Sequence, residues 1–309
     1  MHLKPVVAVV LLAVVLFFGS LYGLVHALRP EPLPEQVNPL RTPPVLPTVE
    51  PRASRLHYDT LLEQVAPLRG QTITVHWGDM GQRLIAAGAI DLSRIEAHYG
   101  SLTEEQQAIL LGDDLAEITL NADNIQFWTN VLWALGLTQQ SRVLDAGPMR
   151  QNEAQWPLGN YASTGGWTLG SKPATELYSS TRLVALTPEQ DEMVYRVAEH
   201  IFRPCCGNST AFPDCNHGMA VLGLLELLAS QGADESELYQ AALVFNAYAF
   251  SDTYVTLAGY LTLQGTSWAN LPAQELLSDR YSSIQGARQI AASVGPIPGA
   301  PVRGGSCGT

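Results

Sequence analysis

Three cysteines and a histidine lie within thirteen residues of one another: Cys205, Cys206, Cys215 and His217. They belong to the run Arg203-Pro-Cys-Cys-Gly-Asn-Ser-Thr-Ala-Phe-Pro-Asp-Cys-Asn-His-Gly-Met219. Three thiolates and one imidazole suit zinc, and soft sulfur also suits Cu(I). Met219 adds a soft donor nearby. The expected ligands are therefore Cys205, Cys206, Cys215 and His217, holding copper or zinc. The spacing departs from the C-x2–4-C of structural zinc sites, and adjacent cysteines on one ion are strained.

Two other readings use the same residues. In a thiol–disulfide protein, Cys206 and Cys215 would close the loop and Cys205 would attack or resolve. In an interaction domain without chemistry, a disulfide would only staple the loop, and His217 would be an ordinary residue at a helix start. Attachment of haem through Cys-x-x-Cys-His is excluded by inspection. His200 could add a ligand from the helix before the cluster, although a lone helix histidine is more often a surface residue. His76 and Asp79 would join a site only if the fold brought them there. Asn208-Ser-Thr210 matches a glycosylation sequon. The pairs Glu104-Glu105 and Asp113-Asp114 read as solvated helix ends, and no G-x-S-x-G, H-E-x-x-H, Walker or Rossmann pattern occurs.

Helices must hold this loop. Pro204, Gly207, Pro213 and Gly218 interrupt a helical pattern and shape the segment. Before it, Thr187-Pro-Glu-Gln190 starts a helix to about Ile201, with a threonine cap, proline at the first position and glutamine at the third. After it, a helix runs from about Gly218 to Ser230, so Cys215 and His217 fall at its start. The free N–H groups and helix dipole there favour a thiolate. Further helices are expected from Asp234 to Phe250, over 252–264, over 103–111 behind Thr103 and Gln106, and from about Ala122 to Leu135 with Gly136 as its stop. Leu56, Leu61, Leu62 and Val65 give an amphipathic stripe in 54–69. Leu84, Ile85 and Ala89 mark another helix. Gln71–His76 alternates like a short strand. Residues 145–175, rich in Gly, Pro, Ser and Asn, read as a long loop. The fold class is all-α or nearly so, a helical bundle.

Residues 5–28, PVVAVVLLAVVLFFGSLYGLVHAL, contain no Asp, Glu, Lys or Arg. A helix of that length can span a bilayer. Lys4 precedes it, which places the N-terminus inside and the rest of the chain outside. A cleaved signal peptide is the competing reading, but the apolar run exceeds the usual 7–15 residues. The expected organisation is an anchor at 1–28, a proline-rich spacer at 29–53, an extracytoplasmic helical domain at 54–293 and a flexible Gly/Pro tail at 294–309. The chain has 309 residues with 17 basic and 29 acidic, a formal net charge of −12. Residues 1–29 hold two of the basic residues, Lys4 and Arg29, and no acidic one, leaving 15 basic residues against the same 29 acidic ones. Such a domain is a poor match for nucleic acid. Anionic lipid should repel it, so the membrane contact is residues 5–28 alone. Only 15% of residues are charged and 46% are apolar, which leaves room for a protein partner at an apolar face.

The runs Ala162-Ser-Thr-Gly-Gly-Trp-Thr-Leu169, Arg203-Pro-Cys-Cys-Gly-Asn-Ser-Thr210 and Phe212-Pro-Asp-Cys-Asn-His-Gly-Met-Ala220 resemble a family of uncharacterised exported prokaryotic helical proteins. The likeness covers roughly residues 120–260 and implies export and helical structure, with no activity attached. A looser likeness, of architecture only, links the chain to cytochrome c maturation proteins with a cysteine loop before a helical hairpin. Their Cys-x-x-Cys is absent here.

Overall fold

The computed structural model describes residues 56–301. The expected anchor at 1–28 and spacer at 29–53 lie outside the described residues. Among those described, no helix is long and apolar enough to cross a membrane.

The domain is mostly helical, as its periodicities require. The chain opens with α1 (Tyr58–Val65), whose Tyr58, Leu61 and Val65 are buried. Strand β1 (Gln71–Ile73) follows. Helix α2 (Met80–Ala87) stops at Gly88, which takes the left-handed conformation that favours glycine. Next come α3 (Leu92–Tyr99), capped by Asp91, and α4 (Glu104–Leu111), with the full Thr103/Gln106 capping box. Strand β2 (Ile118–Leu120) then returns antiparallel to β1, pairing Ile73 with Ile118 and Gln71 with Leu120. The sequence reading contains β1 but not its partner. Three residues cannot display a clear alternation, and Ile118 and Leu120 are identified as strand only by packing inward opposite β1.

Two helices form the centre. In α5 (Ile125–Thr138) every residue from Phe127 onward is buried. Between them the chain makes short helices α6 (Arg142–Ala146), α7 (Pro148–Gln151), α8 (Ala162–Gly165) and α9 (Ala174–Leu177), then α10 (Pro188–Glu199). The second central helix is α11 (Asn216–Ser230), buried without interruption from His217 to Ala229. A helix apolar on all sides belongs inside a bundle, and these two pack on each other. Gly136 is not a stop. It lies inside α5, where a methyl group would collide with the carbonyl oxygen of Met219. A methyl on Gly223 would sit 2.6 Å from the Leu132 oxygen. Here glycine serves backbone contact between two antiparallel helices, and α5 continues to Thr138.

The expected long loop at 145–175 is broken by short helices and is packed inward at a few points while most of its residues are exposed. Ser163 and Thr164 are fully buried. The Trp133 indole donates to the Ser163 carbonyl at 2.6 Å, and Trp167 donates to the Ala89 carbonyl at 2.9 Å. Its Gly and Ser content allows small residues to lie against α5 rather than leaving the chain free.

Helix α12 (Glu235–Ala249) has the Asp234/Glu237 capping box, and α13 (Ser251–Leu263) follows after a break at Phe250. Short α14 (Ala273–Leu276) and α15 (Asp279–Ser282) lead into α16 (Ile284–Val294). Helix α13 packs against both α16 and α1. Beyond Val294 the start of the expected flexible tail is held: Ile297 is buried, and the Tyr58 amide donates to the Pro298 carbonyl at 3.1 Å.

One buried charge carrier stands apart from the cysteine loop. Glu226 on α11 has no exposed surface, and neither carboxyl oxygen has a hydrogen-bond partner of ordinary geometry. Burial raises its pKa well above the usual carboxylate range, with Asp191 and Asp145 adding to the rise and the Ser141 hydroxyl opposing it. The folded chain therefore keeps this proton to higher pH than the unfolded chain. Stability from this group is full below about pH 4.5 and declines as pH rises toward the folded pKa. Glu226→Met is expected to stabilise the protein at pH 7 by about 1–3 kcal/mol. Urea unfolding at pH 7 and pH 4 should show that gain shrinking at the lower pH, and an equal gain at both would contradict it.

Candidate metal centre

The cysteine loop is tied down at its neck. Phe202 and Ser209 bridge antiparallel, and the Thr210 amide and hydroxyl both donate to the Ile201 carbonyl, at 2.8 and 3.1 Å. The Phe202 amide donates to the Leu277 carbonyl at 2.8 Å. Asn246 of α12 donates to the Phe202 carbonyl at 3.0 Å, and the Ile284 amide donates to the Cys206 carbonyl at 3.0 Å. Elements from three parts of the chain thus fix a segment that has no regular structure of its own.

Cys215 is the N-cap of α11. Its sulfur accepts from the Gly218 amide at 3.4 Å, taking one of the N–H groups a helix start leaves unpaired. The helix begins at Asn216, two residues before the expected Gly218, because the cysteine supplies the cap. His217 is buried in the first turn, with its ring 4.6 Å from that of Phe250. Cys205 lies across the loop, its sulfur 3.6 Å from that of Cys215. All three described cysteines are free and half-buried.

The four expected ligands come together, but around Cys215 rather than in one shell. Cys205, Cys215 and His217 have donor atoms all within 4.8 Å of one another. Cys206, Asp214 and Cys215 form a second such set. No set of this kind among the described residues contains all four. Adjacent Cys205 and Cys206 touch one another but fall in different sets.

Two members of the site were not among the expected functional residues. Arg203 is fully buried. Its Nε donates to the Cys215 sulfur at 3.0 Å, and its Nη2 to Asp214 at 2.9 Å and to the Phe212 carbonyl at 3.3 Å. Its Nη1 donates to the Asn208 carbonyl at 3.3 Å. The guanidinium lies flat against Gly218, where a methyl group would strike it, so this glycine is required by the arginine rather than by the helix. Asp214 also accepts from the Asn208 side-chain amide at 2.8 Å. The sequon asparagine is therefore engaged inside the loop. A lone arginine between Phe202 and Pro204 in an acidic chain is the only sequence signal for this arrangement.

Charge follows these contacts. Hydrogen bonds from Cys205 and Cys206, then the Arg203 charge and a hydrogen bond from His217, hold the Cys215 thiol well below its ordinary pKa against the effect of burial. Cys205 moves the opposite way, pushed up by its contacts with Cys206 and Cys215 and by burial. Cys206 is pulled down by Cys205, but Cys215 and burial outweigh that and push it up to about 11. Burial opposes the charge on Arg203, yet the anionic sulfur of Cys215 and its neighbours raise its pKa overall. Cys215 is thus the sulfur of the three most disposed to carry the negative charge, beside the Arg203 guanidinium.

The other expected contributors are elsewhere. His200 is exposed at the end of α10. His76 and Asp79 are exposed near α2, and neither belongs to a ligand set. Met219 is a core residue with no exposed surface. Comparison with protein-family models, with curated proteins and with solved structures finds no match to the chain.

Proposed function

We propose that this protein holds a thiophilic metal ion, copper or zinc, with Cys205, Cys215 and His217 as first ligands. Cys206 approaches Cys215 from the other set and serves as the fourth ligand once the loop adjusts. The observation that carries this reading is the convergence of two thiols and an imidazole within 4.8 Å, with every described cysteine free. A tetrahedral zinc with bonds of about 2.3 Å to two sulfurs separates them by about 3.8 Å. The 3.6 Å between Cys205 and Cys215 is close to that edge. The thiols are half-buried, so an ion here stays within reach of an exchange partner, which favours delivery or sensing over a locked structural role. In the same proposal, residues 5–28 anchor the chain and the helical domain works on the extracytoplasmic side of the membrane.

The full-length chain, purified without chelator, should carry about one copper or zinc ion per molecule by elemental analysis. Metal-free protein that also fails to take up either ion under reducing conditions overturns the proposal. The rival, a thiol–disulfide protein using the same sulfurs, draws on the 3.6 Å contact and predicts an easily reduced disulfide with no metal.

A further inference from the structure

The contact between Cys205 and Cys215 bears on control of the site. A disulfide needs its sulfurs about 2.05 Å apart, and these two start at 3.6 Å. Cys205 sits in the loop rather than in a helix, so its side chain is not fixed by a helical turn. Cys215 is also the one residue common to both ligand sets. A single Cys205–Cys215 bond removes two of three donors from the set with His217 and the only shared donor from the set with Cys206 and Asp214.

We infer that the centre is a redox-gated metal site: a small hydroperoxide joins Cys205 to Cys215 and expels the ion. The inference rests on the metal reading above. A small hydroperoxide reaches these sulfurs, which are only half-buried. In the first step the Cys215 sulfur attacks one oxygen of the peroxide. An S–O bond forms, the O–O bond breaks, and hydroxide leaves with a proton as water. The Nε–H of Arg203 donates to this sulfur at 3.0 Å and holds the attacking group in place. In the second step the Cys205 thiol attacks the Cys215 sulfenic acid and gives up its proton to the departing hydroxide. The S–S bond forms, the S–O bond breaks, and a second water leaves. One thiolate, one thiol, one hydrogen peroxide and one proton give one disulfide and two waters, with two electrons passing from sulfur to oxygen. A thiol reductant reverses the change by exchange.

The test uses the full-length chain, reduced and loaded with zinc, then treated with hydrogen peroxide while free zinc is read by a colorimetric chelator. One equivalent of peroxide is expected to release the bound zinc, and peptide mapping should find Cys205 linked to Cys215. Dithiothreitol should restore uptake. A link made through Cys206, or zinc retained after the disulfide has formed, overturns the gate alone. A reduced chain that takes up no zinc and no copper overturns the metal reading and the gate with it.

Discussion

Cys215→Ser is expected to strip the chain of its metal, lowering affinity by more than the roughly 10–100-fold that changes to supporting residues cost. The reason is positional. Cys205 and Cys206 each belong to one ligand set, whereas Cys215 belongs to both. It is also the sulfur that receives the Arg203 and Gly218 donors, which favour its anionic form. Serine can keep the helix cap, because a hydroxyl oxygen accepts from the third N–H of a helix at least as well as sulfur. The fold should therefore persist while binding is lost. Competition with a chromogenic chelator, beside circular dichroism, separates the two effects. Cys206→Ser should weaken binding less than Cys215→Ser. Equal losses would mean that Cys215 has no privileged place.

Arg203→Met should cost about 3–5 kcal/mol of stability, the range found when one partner of a buried ion pair is removed. For a domain of this size that lowers Tm on the order of 10 °C. The guanidinium alone ties together the Cys215 sulfur, Asp214 and the carbonyls of Asn208 and Phe212. Removing it leaves Asp214 with only the Asn208 amide and the two carbonyls without this donor. Lysine should not rescue the variant. A single ammonium on a flexible stem cannot fill a planar fork of donors pressed against Gly218. Differential scanning calorimetry of the Met and Lys variants provides the check, and a Tm within about 2 °C of the parent would refute the role given to Arg203.

Much of the helical frame was legible because it rests on local rules. The Thr103/Gln106, Thr187/Gln190 and Asp234/Glu237 boxes form as the spacing requires. Each satisfies backbone N–H groups from side chains three residues away, so neighbouring sequence suffices. The placement of Cys215 and His217 at a helix start was readable for the same reason. Gly136 was misread because a glycine that ends a helix and a glycine that admits another helix look alike in one dimension. Only Met219 and Gly223, more than eighty residues on, distinguish them. The 145–175 segment is a loop only in part: small residues signal loops, but Ser163 and Thr164 also fit into tight contacts.

By itself, the sequence determined an acidic, mostly helical domain with three of the chain's four cysteines and one imidazole gathered in a loop between two helices. Composition, periodicity and capping are short-range properties, and they required nothing from the rest of the chain. The tertiary structure decided how that loop is wired. It divided the four expected ligands into two sets that share Cys215, brought Asp214 into one of them, and buried Arg203 beneath the thiolate. Which sulfurs face each other depends on where the loop backbone is held. That is set by Leu277, Asn246 and Ile284, residues distant in sequence whose contacts exist only in the folded chain.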